Sequence, residues 1–259
     1  MKRVFGVCGW VGLAMLFLAQ GVVAQSVDLT SAGNTVYDGI YVSPYYATVN
    51  DVANTPIVCD DFEDNSYLNT PYTATTTKFS NLSSSLGTTA WGLVSGSAST
   101  ALTLYGEAAW LTEQILQQTS GSNLQIEDSF ADWAVFDPNG VASYLTENPI
   151  NSGPLTTAAL CDYIFGSFSS KSGVCTASNG GELATAASHD SLSQFSNVVL
   201  LTPQKAGGGT CTAGACSEQE FISVPEGGAA FAYLLLAALC CFGAIYTRSR
   251  RHNASMESA

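Results

Sequence analysis

Two uncharged apolar runs near the two ends dictate how this chain can be organised. The first covers residues 4–18 behind the basic Met1-Lys2-Arg3, and the second covers residues 229–246 ahead of Arg248, Arg250 and Arg251. Only the roughly 200 residues between them can build a water-exposed globule, which suits one domain or two small ones. The first run ends in Val22-Val23-Ala24, small enough to precede a signal-peptidase cut. Residues 1–24 therefore read as a signal peptide cleaved between Ala24 and Gln25, since the run is short for a retained span. Cys8 leaves with it. The second run is just long enough to cross a bilayer as a transmembrane helix. Its arginines hold the tail 252–259 in the cytoplasm and place the rest of the chain outside. Cys240 and Cys241 within it read as buried apolar side chains.

Between Gln25 and Ser223 the chain carries three lysines, no arginine and nineteen acids, a net charge of −16. Such a body repels phosphate backbones, so nucleic acid is excluded as a partner. Few charges amid much Ser, Thr, Ala and Gly suit a β-rich exported domain. Residues 36–50, rich in Tyr, Val and Thr and broken by Asp38-Gly39 and Pro44, read as strand, turn, strand; residues 57–62 and 70–80 read as further extended segments. Residues 106–118 place Ala109, Leu111, Ile115 and Leu116 at helical spacing, and residues 129–136 read as a second helix stopped by the turn signal Asp137-Pro138-Asn139-Gly140. Residues 155–165 form a third candidate helix, residues 197–202 an apolar strand, and residues 205–222 a Gly-rich linker to the anchor. The expected class is α+β, a β-sandwich or barrel with a helical insertion, in an acidic ectodomain over residues 25–204.

Five cysteines belong to the ectodomain: Cys59, Cys161, Cys175, Cys211 and Cys216. In an oxidising compartment near neighbours pair most simply, as Cys161 with Cys175 and Cys211 with Cys216, leaving Cys59 free; other pairings stay open, because spacing does not determine connectivity. No spacing matches a zinc site, and no cofactor or metal is expected. The ectodomain's one histidine, His189, lies in Ser188-His189-Asp190-Ser191 and reads as an exposed loop residue, and no nucleophile motif accompanies it. Asp60, Asp61, Glu63 and Asp64 are the densest acids. Their spacing lacks a calcium-loop pattern, so the expectation is a solvated strand end.

Two resemblances follow from short motifs. Ser223-Val224-Pro225-Glu226-Gly227-Gly228, then the apolar run, then Arg248, Arg250 and Arg251, resembles the PEP-CTERM sorting signal of Gram-negative bacteria over residues 223–251, with Gly227-Gly228 where a second proline is usual. The resemblance implies cutting near Pro225-Glu226 by an exosortase-like protease and delivery to the surface or a polysaccharide matrix. Val58-Cys59-Asp60, followed by Ala108-Ala109-Trp110-Leu111 on a helix and then by Ala131-Asp132-Trp133-Ala134-Val135, is similar to the thioester domains of bacterial surface adhesins; the alternative is that Trp110 and Trp133 are core aromatics stacking two helices and Cys59 a buried apolar thiol. In the thioester domains a strand cysteine is acylated by a glutamine four residues before a tryptophan. Here Ser129 stands four residues before Trp133, so the resemblance implies a related fold without the thioester.

The expected function is therefore that of an exported, C-terminally sorted surface or matrix protein, structural or adhesive and not an enzyme. Its expected partners are signal peptidase, an exosortase-like protease, the membrane and envelope or matrix polysaccharide. A displayed hydrolase or a calcium-dependent adhesion module are the alternatives. Intact-mass measurement of the exported protein should find Gln25 at its N-terminus, and a mass that still includes residues 1–24 would refute the cleavage reading.

Overall fold

A computed structural model describes residues 23–224, apart from 34–35, 38, 63–64, 94, 151–152, 154, 170–172, 207 and 214–217. Of the expected signal peptide, residues 1–24, all but Val23 and Ala24, which fall in the first strand, lie outside the described residues, as do the expected sorting segment from Pro225 onward with its apolar run, and Cys216. The β-branched and aromatic segments pair as β1 (Val23–Ser31), β2 (Val36–Tyr37), β3 (Ile40–Tyr41), β4 (Tyr45–Val49), β5 (Val52–Cys59) and β6 (Tyr72–Lys78). A helical block follows: the single turn α1 (Leu82–Ser85), then α2 (Ala98–Gln117), α3 (Asn123–Phe136), α4 (Pro138–Glu147) and α5 (Thr157–Phe165). A small hairpin, β7 (Phe168–Ser169) with β8 (Val174–Cys175), precedes α6 (Gly181–Ala186), and the chain returns through β9 (Val199–Pro203) and β10 (Phe221–Ser223).

Six strands close a barrel in the order β1-β4-β5-β10-β9-β6, with every neighbouring pair antiparallel. Pairing of β1 with β6, from Val23 opposite Thr76 to Val27 opposite Tyr72, completes the ring. Closure satisfies the strand edges that an open sandwich would leave to be covered. The fold is thus α+β, and its helices are inserted between β6 and β9. Strand alternation divides the apolar residues between two cores. Val27, Ala47, Ile57, Cys59, Ala74, Leu201 and Phe221 fill the barrel, whereas Leu200 and Ile222, one residue out of phase, join the core under the helices.

Local sequence sets the helix starts. Ser97 accepts a hydrogen bond from the Thr100 N–H, Ser122 from Gln125 and Thr156 from Ala159, so each helix opens on a capped turn. Both long helices begin earlier than their apolar periodicity indicates, because the polar turns after Ser97 and Ser122 are helical through these caps. Asp137-Pro138-Asn139-Gly140 ends α3 as expected but also starts α4. The Asp137 carboxylate accepts from the Gly140 N–H at 2.8 Å, and Pro138 occupies the first turn, where its missing N–H costs nothing. Cys161 on α5 and Cys175 on β8 form a disulfide with Cα atoms 5.6 Å apart, a loop closure of the kind that contributes about 3 kcal/mol.

The stretch 205–222, read above as a tether leaving the fold, runs between two barrel strands instead. Phe221–Ser223 pairs with β5 on one side and β9 on the other, and Phe221 and Ile222 are fully buried. A short apolar strand behind a Gly-rich loop carries too little periodicity to be recognised from sequence. No helix among the described residues is long and apolar enough to cross a membrane. Burial of Phe221 and Ile222 contributes roughly 1.5–3 kcal/mol each, and their removal also opens the ring, against a total stability of about 5–15 kcal/mol for a typical domain. A chain ending at Val224 should therefore melt cooperatively by circular dichroism, whereas one ending at Gln204 should not; a folded Gln204 truncation would contradict the closing role of β10.

Candidate functional site

One end of the barrel is plugged by acids. β5 delivers Cys59 into the barrel, and the next residue, Asp60, consequently points out toward the helical layer. The Cys59 N–H donates to Ser43 Oγ at 3.2 Å, and its thiol donates to the Asp61 carbonyl at 3.0 Å. The thiol is free and buried. Burial, then the charges of Asp61 and Asp60, push it well above its ordinary pKa, so it is a neutral, poorly nucleophilic group.

Glu220, immediately before β10, anchors the helical layer to the barrel. The Tyr105 hydroxyl of α2 donates to its Oε1 at 2.6 Å, the Ala90 N–H donates to its Oε2 at 2.9 Å, and the Thr202 hydroxyl of β9 also donates to Oε2. Tyr105 in turn accepts from the Trp91 N–H at 3.1 Å. Burial raises Glu220 even against these donors. Asp60 lies within interaction range of Glu220 but meets it without well-formed hydrogen-bond geometry. Burial first, then Glu220, Asp132 and Asp61, hold Asp60 well above the carboxylate range. Glu220 has the donors, so the shared proton belongs on Asp60. Asp132 of α3 is also wholly buried, neither of its oxygens has a hydrogen-bond partner, and burial followed by the charge of Asp128 raises it strongly.

Above this cluster a cleft of about 350 Å³ opens between the barrel rim and the helices. Tyr41, Tyr45, Phe62, Trp133 and Tyr144 supply its rings, and Asp61, Asn65, Ser66 and Gln219 its polar groups. Phe62 packs on Trp133 at 5.3 Å and edge-on to Tyr144 at 5.6 Å. Gln219 Nε2 donates to the Asp61 carbonyl at 2.7 Å, and the Gln219 N–H donates to Ser66 Oγ at 3.2 Å. Asp61 thus joins cleft and acid cluster.

Of the residues singled out from sequence, Cys59 and Trp133 belong to this end of the molecule. The Ser129 hydroxyl turns back to the Gln125 carbonyl at 2.8 Å, and the α3 side chain whose charge reaches Cys59 is Asp132. Asp60 and Asp61 are 0% and 1% exposed, which corrects the reading of a solvated strand end: the helices and the segment before β10 cover them. Glu63 and Asp64 lie outside the described residues. Trp110 does not pack with Trp133 but stacks on His189, centroids 4.9 Å apart and planes 4° from parallel. Gly106 permits that approach, since a Cβ there would stand 2.0 Å from the Asp190 carbonyl oxygen. Neighbouring Glu107 is pushed up to about 7 by burial and then by Asp190. Cys211 is disulfide-bonded, and since Cys161 and Cys175 pair with each other and Cys59 is free, its partner lies outside the described residues.

Asp132 and Glu220 were not apparent as site residues. Each was signalled only by an acid set directly against apolar neighbours, Ala131 and Trp133 in one case and Phe221 and Ile222 in the other. Among the described residues no group of three or more His, Cys, Asp or Glu side chains could hold a metal ion. No family model, curated protein or solved structure matches this chain.

A carboxyl raised by folding binds more protons in the folded than in the unfolded chain between its two pKa values. Stability is therefore greatest at low pH and falls as pH rises from the ordinary carboxylate range through the raised values of Asp60 and Asp132. The melting temperature should increase from about pH 7.5 to about pH 5. Asp132→Asn should stabilise the protein at about pH 7.5 and flatten that slope. A variant less stable than the parent at both pH values would show that the Asp132 carboxylate is stabilising.

Proposed function

We propose that the protein is exported, sorted through its C-terminal segment, and held at the cell surface or in the extracellular matrix, where it acts by binding and not by catalysis. The observation that carries this reading is the polarity of the barrel. Gln25 and Ser223 both line a cavity of about 530 Å³ at one end, together with the β4–β5 turn, while Cys59, Asp61 and the aromatic cleft occupy the other. Pro225 follows the last barrel residue by two positions and Ala229 by six, so the start of the apolar run lies within about 20 Å of that end. A barrel tethered there presents its cleft away from the membrane.

Binding is favoured over catalysis by the state of the candidate groups. Cys59 is a neutral buried thiol, the Ser129 hydroxyl is engaged by its own helix, and the ring of His189 is stacked on Trp110. Neither Ser129 nor Asp132 offers a carboxamide, so closing a thioester with loss of ammonia is not available to them. The partner in this reading is envelope or matrix polysaccharide, and the processing enzyme an exosortase-like protease acting at Pro225-Glu226.

Expression of the full chain in a Gram-negative host with such a protease tests the proposal. Intact-mass analysis of the surface-labelled form should show loss of residues 229–246. Changing Arg248, Arg250 and Arg251 to glutamate should abolish surface accumulation through loss of orientation. A surface form that retains residues 229–246 would replace sorting with a simple membrane anchor.

A further inference from the structure

We infer that the aromatic cleft is a binding site for a neutral, hexopyranose-based glycan, with Tyr41 and Tyr144 as its stacking platforms. The inference deepens the surface-protein reading and rests on it for where the ligand is met; the ligand's class comes from the cleft itself. At about 350 Å³ the space falls within the roughly 300–1,000 Å³ of small-ligand sites.

Rings and polar groups line the same space, and that combination selects the ligand. Of its five aromatic lining residues, Trp133 and Tyr45 are buried supports, whereas Tyr41, Phe62 and Tyr144 keep solvent-accessible surface, so a ligand that presents flat C–H faces can meet ring faces that carry partial negative charge. An acyl chain would meet those ring faces but would strip water from the solvent-accessible Asn65, Ser66 and Gln219 without replacing the lost hydrogen bonds. A pyranose meets both demands, because its C–H face stacks while the hydroxyls around its edge serve as donors and acceptors. A quaternary ammonium would use the rings but has no hydrogen-bonding groups to offer the Asn65 amide or the Ser66 hydroxyl. Anionic glycans are disfavoured, since the lining residues include an aspartate and no Lys, Arg or His, on a body with net charge −16.

The cleft is also built before any ligand arrives. Phe62 is wedged between Trp133 and Tyr144, Tyr45 is fixed by donating its hydroxyl to the Tyr41 carbonyl at 2.7 Å, and Gln219 is fixed through Asp61 and Ser66. Little side-chain ordering then opposes binding. At the rim Tyr41 and Leu68 remain 49% and 45% exposed, an apolar edge of the kind that marks a contact surface.

Titration calorimetry on the purified full chain in a detergent without sugar headgroups tests the assignment, using α- and β-linked glucans, mannan and galactan, with alginate and choline as comparison ligands. At least one neutral glycan should bind. Tyr41→Ala and Tyr144→Ala should each weaken it about tenfold or more, while Tyr41→Trp should retain binding. Since Tyr41 is half exposed, Tyr41→Ala should keep the parent melting temperature, so loss of binding there is not loss of fold. Absence of binding to every neutral glycan, binding of alginate or choline alone, or equal binding by Tyr41→Ala would overturn the assignment. None of these readouts depends on sorting, so failure of the glycan site and failure of the surface-protein reading remain distinguishable.

Discussion

A single buried carboxylate joins the two halves of this molecule. Glu220 accepts from α2 through Tyr105, from the Ala90 backbone ahead of α2, and from β9 through Thr202, and it is covalently next to Phe221 in the strand that closes the barrel. An unpaired charge buried in an apolar interior costs several kcal/mol. Glu220 is tolerable only while all three donors are in place, so the helical layer and the barrel can each reach their final positions only together. The insertion between β6 and β9 is therefore tied to the barrel by a polar contact of strict geometry as well as by the apolar faces of Leu200 and Ile222.

The same arrangement leaves an excess of acid in one place. Asp60 and Asp132 sit beside Glu220 and Cys59, and the groups that act on Asp60 are all acids. Such groups reduce stability at neutral pH and bring no compensating ion pair. Desolvation first, then repulsion by neighbouring acids, raises Asp60 and the Cys59 thiol toward their neutral forms, while Glu220 stays a carboxylate held by its donors, so the end of the barrel beneath the cleft is acidic, and the cleft lining includes no Lys, Arg or His. A cleft over such a floor suits an uncharged, hydroxyl-bearing ligand better than an anionic one.

Barrel closure gives the molecule two structurally different ends. Because β1 begins and β10 finishes at the same end, the two ends of the barrel's chain emerge together, beside Lys78 and Val199 where the helical insertion leaves and returns, and the cleft lies at the opposite end. An up-and-down arrangement with an odd number of strands would have separated the termini. Here six strands, with β10 inserted between β5 and β9, bring them back to one side.

Much was legible in the sequence because it is written in local periodicity and composition. The apolar runs at residues 4–18 and 229–246, the −16 body and the Pro225-Glu226 motif are contiguous signals. So are the short extended segments rich in Thr, Val and Tyr, and the apolar helical spacing around Leu111 and Ile115. These determined the α+β class, the helical insertion and the expected address. Tertiary structure decided what depends on residues far apart in the chain. It made the strands a barrel and not a sandwich, through pairing of β1 with β6. It drew Phe221–Ser223 out of an expected linker and into the ring, and it buried Asp60 and Asp61, which the sequence alone suggested were solvated. It also assembled Tyr41, Phe62, Trp133 and Tyr144 around one cleft. The physical reason is common to all four: local patterns report what a segment can form, whereas burial, pairing partners and convergence of side chains are set by long-range packing that no short window contains.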